Sequence, residues 1–592
     1  MQAGGLKRLK KEMSSNAWVV RDEAGLREAV RRLENRPILA CDLETTGLDP
    51  HRDTVLLVLI GDARLQVAVD ARAFDDLRLL KPVLEREGLT VFHNAQFDLK
   101  FLKSLNLEVS RPQDTMVLEI LLAGGRRVGP RTLKACCERR VGLSLDKAER
   151  TSFMNYEGEL TDAQITYGLA DVLATYHLFL EQTGAIEDAG LGRVARIEGA
   201  ATDPFAELEY RGIHLDRSSW ERLLEEARGA REATLQALRA AVRPVVNPDL
   251  FGHVSVNFDS ESDLRDLFGR LGYEDLPDLT KATLSRLDHP LATALVEYRV
   301  HQKVLSSYGD EFLSHIHPVT GRLHPRFKQL GAATGRCSCE GPNLQSIQGG
   351  DRFRGAFSAP NGRMMVTADY SGCELRILAE LSKDPAFLRV FQEGGDLHSL
   401  VASSMFGKQV SKTENPDLRS RAKAINFGLC YGMGAAGLAR QISSSVEEAE
   451  DLLDRYFSEY PKVKQWLDMS ADVAIGRGYC ETMAGRRLYL DDMGDPERRQ
   501  QIIRQAKNMP IQGTSADITK LAMARVARAL RSRGKDAFLV NCVHDELVVE
   551  TSESDADEVA RLVRKEMVSA GEVFLKEVPT VVDVQVARHW AK

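Results

Sequence analysis

Asp417–Tyr431 reads DLRSRAKAINFGLCY, with Asn415-Pro416 in front of it and Gly432 and Gly434 behind. Asparagine as a cap with proline in the first turn starts a helix, and the glycines stop it. Arg419, Lys423, Phe427 and Tyr431 recur every four residues. They form a stripe that drifts around the helix by about 40° per step. Such a stripe is ordinarily half core and half solvated face. Here the two cations stand near the helix start, where they oppose the helix dipole. An anion removes that penalty, because the helix N-terminus and both cations then act on it together. The spacing therefore predicts a phosphate-binding helix, with the aromatic residues meeting a base or sugar.

Two acidic segments flank this helix: Val366-Thr367-Ala368-Asp369-Tyr370-Ser371 before it and Val543-His544-Asp545-Glu546-Leu547 after it. Each places a carboxylate at the end of an apolar, strand-like run. Two convergent carboxylates can hold two divalent metals, and the cationic helix can hold a triphosphate. Together they describe phosphoryl transfer onto a nucleic-acid end.

A second acidic constellation lies near the N-terminus. Asp42-x-Glu44 ends a strand expected over Pro37–Leu43, and another strand is expected over Thr54–Ile60. Asn94-x-x-x-Asp98 follows, then Tyr167-x-x-x-Asp171 on a helix expected over Leu160–Gln182, with Thr161 and Gln164 spaced as a capping box. Residues two apart share a strand face, and residues four apart share a helix face. Any one of these motifs is ordinarily solvated surface. In this order they resemble the DnaQ-like 3′–5′ exonuclease fold over about residues 18–190. The resemblance implies that Asp42, Glu44, Asp98 and Asp171 bind two metals. Tyr167 with Glu44 would position a water that attacks the last phosphodiester of a single-stranded DNA 3′ end.

The larger, C-terminal part resembles family A DNA polymerases of the bacterial DNA polymerase I type. The motifs are the R-x-x-x-K-x-x-x-F-G-x-x-Y-G helix, Asp369-Tyr370-Ser371-x-x-Glu374-Leu375-Arg376 and Val543-His544-Asp545-Glu546. Ala332-Ala333-Thr334-Gly335-Arg336, Pro342-Asn343-Leu344-Gln345, Asp396-Leu397-His398 and Arg504-x-x-x-Asn508-x-Pro510-x-Gln512-Gly513 also match. The resemblance implies that Asp369, Asp545 and the Tyr370 carbonyl hold two Mg2+ ions, with Mn2+ able to substitute, and that Glu546 is a secondary acidic group. Arg419, Lys423 and His398 would bind the dNTP phosphates, with Lys423 the general acid for pyrophosphate. Phe427 would pack on the incoming sugar and base, Tyr431 near the templating base, and Glu374 against the sugar 2′ position. Arg336, Arg504, Asn508, Gln512 and His544 would touch the primer–template DNA. The implied fold is multidomain α/β and α+β, an RNase H-like exonuclease domain followed by a right-hand polymerase. Expected boundaries are a tail at 1–16, exonuclease 17–190, thumb and connecting helices 191–321, palm 322–390, fingers 391–503 and a second palm segment 504–592.

The chain departs from the family pattern in a few places. Gly372-Cys373 replaces a usual Gln-Ile, Cys337-Ser338-Cys339 a usual Leu/Met-Ser-Ser, Gln348 a common proline and Gly434 a common serine. None removes a metal ligand or a phosphate cation. Cys373, smaller than isoleucine, is expected to pack behind the nucleotide site and loosen it. The chain opens directly on the exonuclease, so removal of flaps from a 5′ end is not expected. A dedicated exonuclease with a non-catalytic DNA-binding region is the alternative reading.

Bulk properties agree. A chain of 592 residues suggests about three to five domains. With 43% hydrophobic and 28% charged residues it has an ordinary globular composition, and the net charge of −7 leaves room for local basic stripes. No apolar run approaches the roughly 18 residues of a membrane helix, so no membrane partner is expected. Nine cysteines without paired zinc spacing read as reduced, packed thiols. A monomer in the cytoplasm of a bacterium or phage-infected cell is expected, or in an organelle.

Overall fold

The computed structural model describes residues 17–246, 256–348, 350–430, 432–442, 444–491 and 495–591. The expected tail at 1–16 and Tyr431 lie outside them.

The N-terminal part is built on a six-stranded mixed sheet in the order β1-β4-β3-β2-β5-β6. The strands are β1 (Ala17–Val20), β2 (Ile38–Thr45), β3 (Val55–Gly61), β4 (Gln66–Asp70), β5 (Leu89–Phe92) and β6 (Pro112–Asp114). β3, Val-Leu-Leu-Val-Leu-Ile-Gly, is buried along its whole length, because helices cover both faces of the sheet. Helix α1 (Ala95–Ser104) follows β5. Helix α2 (Asp162–Asp188) carries the capping box foreseen at Thr161 and Gln164 and runs six residues past the expected Gln182. The extension is held by Ile186, buried in the core beyond.

Helix α3 (Gly192–Arg211) differs from expectation. The charged stretch after Leu191 reads as the start of an extended helical arm, yet this helix is packed into the body of the protein, with Glu198, Asp203, Glu207 and Glu209 all buried on it. Cations from distant segments explain this. Glu198 takes hydrogen bonds from Arg486, from Lys520 at 2.7 Å and from Gln329 at 2.6 Å. Asp203 pairs with Lys103 of α1 at 2.7 Å and with Arg531. The helical arm proper is α4 (Arg217–Val242) and α5 (Pro290–Tyr308), closed around its own cluster of Leu238, Phe268, Leu291 and Leu295.

The C-terminal part centres on a four-stranded antiparallel sheet of β7 (Arg363–Tyr370), β8 (Ala537–Val543), β9 (Glu546–Ser552) and β10 (Val582–Ala587), ordered β8-β9-β7-β10. The helices that matter are α6 (Cys373–Ser382), α7 (Leu397–Phe406), α8 (Pro416–Cys430), α9 (Pro496–Ser532) and α10 (Ala556–Gly571). α8 begins on the proline of Asn415-Pro416, as read from the sequence. α9 starts eight residues before the expected Arg504, because Ile502 continues its apolar face into a cluster with Ala474, Leu488 and Met509.

Candidate active sites

In the N-terminal site, β2 alternates as the spacing requires. Cys41, Leu43 and Thr45 are buried while Asp42 and Glu44 face the opposite way, half-buried. Asp98 of α1 is 2% exposed and accepts the Leu43 N–H at 3.0 Å, which ties α1 to β2. The start of α1 is pinned in turn by Asp114, whose carboxylate accepts the Asn94 and Ala95 N–H groups at 2.9 Å each. α2 brings Tyr167 and Asp171 to the same place. Lys147 was not foreseen there. Its ammonium donates to Asp171 Oδ2 and, at 3.2 Å, to the Tyr167 hydroxyl.

Lys147 thus pairs with Asp171 and acts through its charge on Asp42 and Glu44 as well. Burial, then repulsion from Asp171, raises Asp42 to about 7; burial, then Asp42 and Asp171, raises Glu44 to about 10. Asp98 and Asp171 are raised as well, burial again leading. Asp171 Oδ1 is buried and accepts no hydrogen bond. An all-oxygen donor set is the kind divalent cations prefer, while among the described residues no three His, Cys, Asp or Glu side chains are gathered closely enough to hold one ion as they stand.

In the C-terminal site, β7 places Asp369 opposite Glu546 of β9 and Asp583 of β10. The Tyr370 side chain is buried, its hydroxyl donating to the Met567 carbonyl of α10 at 2.7 Å, which fixes the strand end. His544 and Asp545 form the turn between β8 and β9, His544 in the left-handed region at φ 55°. The Tyr370 N–H reaches the Asp545 carbonyl at 3.4 Å, so Asp369 and Asp545 stand on neighbouring strand ends. Glu546 is 1% exposed, and its carboxylate receives Arg354 at 3.0 Å and the Trp590 indole at 2.7 Å. That geometry makes Glu546 a brace of the hairpin, in contrast to the half-buried Asp545 beside it.

The phosphate-side residues form a lattice on α7 and α8. Arg419 Nε donates to Asp396 Oδ2 at 2.6 Å, and Asp396 also caps α7. Against its burial, Arg419 and the Ser399 hydroxyl hold Asp396 down to about 2. The Asn426 amide donates to His398 Nδ1 at 3.0 Å, which leaves His398 Nε2–H as the outward donor. Burial lowers His398 to about 4 against the pull of Asp396, with Arg419 and Lys423 adding to the fall, so its imidazole is neutral at pH 7. Lys423 is exposed on the same helix. Asn426, fully buried, was missed. Its position three after Lys423 on the same helix face was an available signal. The Phe427 side chain lies outside the described residues.

Arg336 and Glu374 enter the sequence reading with separate roles, but the structure joins them. Arg336 Nη2 donates to Glu374 Oε1 at 2.5 Å. Glu374 is 6% exposed on α6. Arg504, Asn508 and Gln512 descend α9 at steps of four, Arg504 exposed and the other two half-buried. Gly513 sets the contact beside Gln512: a Cβ there would stand 2.9 Å from the Thr334 carbonyl, so only glycine lets the Arg336 loop approach α9. Cys373 is buried next to Ser515 of α9.

The sequence profile of "DNA polymerase family A" matches residues 224–592. The chain belongs to this family. A second profile, "3'-5' exonuclease", matches residues 18–183. Among curated relatives, "DNA polymerase I" of Aquifex aeolicus is 33% identical, the match covering 97% of this chain and 99% of that protein. "DNA polymerase I" of Pseudomonas aeruginosa is 32% identical over 97% of this chain, which spans 65% of that longer protein. Among solved structures, the polymerase domain of Pol1 from M. smegmatis, in complex with DNA primer-template and dNTP, superposes with a TM-score of 0.82. It is 27% identical over 97% of this chain and 99% of that one. The polymerase profile sets aside the alternative of a dedicated exonuclease. The chain is a family A DNA polymerase with a 3′–5′ exonuclease domain. No helix among its described residues is long and apolar enough to cross a membrane.

Proposed function

We propose that the two sites work as opponents on one primer. The C-terminal site extends the primer 3′-OH with dNTPs on a DNA template, and the N-terminal site removes mispaired ends. The observation that carries this reading is the pairing of Asp369 and Asp545 on neighbouring strand ends with the Arg419–Asp396 and His398–Asn426 lattice.

Asp369, Asp545 and the Tyr370 carbonyl would hold Mg2+, which supplies Lewis acidity to the attacking and departing oxygens. Arg419 and Lys423 receive the triphosphate at the α8 N-terminus. Neutral His398 donates from Nε2 without repelling those cations. Lys423 hands a proton to pyrophosphate. Glu374 blocks a 2′-hydroxyl. Arg336 and Gln512 meet minor-groove acceptors that are alike in every correct pair, which checks shape without reading sequence. Arg504, Asn508 and His544 hold the duplex near its terminus. In the other site Asp42, Glu44, Asp98 and Asp171 would hold the same kind of ion, and Tyr167 with Glu44 orients the water. The enzyme acts as a monomer in a bacterial or phage-infected cytoplasm, or in an organelle.

Primer extension from a mismatched 3′ end, with and without Mg2+, tests both halves at once. The expected result is removal of the mismatched nucleotide followed by full-length product, only with Mg2+. Extension that retains the mismatch in every product overturns the proofreading assignment; removal without any extension overturns the polymerase assignment.

A further inference from the structure

Cys337 and Cys542 come from segments far apart in sequence and meet beside the polymerase site. The two thiols are hydrogen-bonded to each other. Gln345 fastens both, its amide donating to Cys337 Sγ and to the Cys542 carbonyl at 3.2 Å each. They line one cleft with Arg336, Lys520 and His544. His544 is exposed, Cys337 half-buried and Cys542 fully buried, so of the two thiols Cys337 is the one with surface open to a small solute. Cys337 adjoins Arg336, and Cys542 is two residues before His544 and three before Asp545.

We propose that Cys337 and Cys542 are an oxidative modification site, a pair that a hydroperoxide converts to a disulfide and so switches off synthesis while leaving excision intact. The inference goes beyond the proposed function, since nothing in template copying requires the pair. The two thiols have unequal roles. The hydrogen bond from Cys542, helped against burial by the Lys520 ammonium, draws Cys337 down to about 7, while Cys542 is pushed well up. At neutral pH more of Cys337 is therefore thiolate than of an ordinary thiol near 8.5.

The Cys337 thiolate attacks one peroxide oxygen, the O–O bond breaks, and with one proton taken up the first water leaves behind a sulfenic acid. The Cys542 sulfur then attacks the Cys337 sulfur, the S–O bond breaks, and the hydroxyl departs with the Cys542 proton as a second water. Two thiols and one peroxide give one disulfide and two waters; the peroxide is reduced and the sulfurs are oxidised. The sulfurs close from hydrogen-bond separation to about 2.05 Å. That shift pulls the Arg336 loop against the strand that ends in His544 and Asp545. Misplacement by about 1 Å near a reacting centre costs on the order of 100-fold in rate.

The test exposes the full-length enzyme to hydrogen peroxide, blocks remaining thiols with N-ethylmaleimide and maps non-reduced peptides by mass. The expected result is a linked Cys337–Cys542 peptide. Primer extension falls at least tenfold, digestion of single-stranded DNA stays within twofold, and dithiothreitol restores extension. Cys337→Ser and Cys542→Ala each keep extension under peroxide. A peptide map without the linkage overturns the site whatever the activities do, and it needs no variant to fold. Linkage with unchanged extension, or equal inactivation of the variants, overturns the switch.

Discussion

The Arg336–Glu374 pair joins the arginine proposed to meet the minor groove to the residue proposed to exclude ribose. Primer–template must take Arg336 from Glu374, and the cost of that exchange enters the DNA affinity. The bond is charge-assisted at 2.5 Å, with Glu374 nearly buried and the Arg336 side chain 27% exposed. A hydrogen bond to a charged group is worth about 1.5–3 kcal/mol, and partial exposure brings this one to about 1–2 kcal/mol. Glu374→Gln keeps the bulk and removes the charge. It is expected to tighten primer–template binding by roughly 5–30-fold, since 1.4 kcal/mol is tenfold. Sugar discrimination should largely survive, because the amide still fills the space. Glu374→Ala should tighten DNA equally and also admit ribonucleotides. Fluorescence anisotropy with labelled primer–template, without dNTP and in an Asp42→Ala, Glu44→Ala background, reads the affinity; single-turnover incorporation of dNTP against rNTP reads the discrimination. In an Arg336→Ala background Glu374→Gln should leave DNA affinity unchanged. An unchanged affinity in the single variant, or the same gain with and without Arg336, refutes the reasoning.

Other consequences are as direct. Asp369→Ala or Asp545→Ala is expected to abolish extension and spare digestion of single strands, and Asp42→Ala with Glu44→Ala to do the reverse; gel assays of both activities on each variant decide, and dNTP extension retained by Asp369→Ala sinks the metal assignment. The raised carboxyls of the exonuclease site predict proton release on metal binding at pH 7, read as a buffer-dependent enthalpy in calorimetry of Mg2+ or Mn2+ that shrinks in the Asp42→Ala, Glu44→Ala variant. The same sign governs metal-free stability. Carboxyls raised above their unfolded values stabilise the fold fully below about pH 4 and lose that contribution as pH rises through about 7 and then about 10. Thermal melts in chelator should therefore fall over that window, and added Mg2+ should reverse the fall. Asn426→Leu frees His398 Nδ1 and leaves a donor choice at that ring; a rise of about tenfold in KM for dNTP with DNA affinity unchanged is expected, on the scale of about 1.4 kcal/mol for a lost buried hydrogen bond, and an unaltered KM would remove Asn426 from the site.

Local periodicity carried much of this molecule. Asp42 and Glu44 share a face because strands alternate, Tyr167 and Asp171 because helices turn every 3.6 residues, and the Thr161–Gln164 cap sits where its spacing puts it. What escaped is what tertiary pairing decides. Lys147 meets Asp171 from a loop of no regular pattern, and Arg336 meets Glu374 across 38 residues. α3 shows the limit most clearly. Nothing local in its sequence marks its acidic side chains for burial, because cations that allow it, Arg486, Lys520 and Arg531, stand some 300 residues further on.

α3 also constrains how the two activities can cooperate. It is keyed to the exonuclease sheet through Lys103 and to α9 through Lys520 and Arg531, with its charges out of water at both joints. Removing one partner from such a joint strands a charge in a dry interior, at a cost of about 3–5 kcal/mol. Joints of this kind resist hinging, so on the proposed function the primer end itself has to unpair and cross between two sites held at a fixed separation. The tempo of editing would then follow how readily the terminal base pairs fray, and a weak or mismatched end would report its own error.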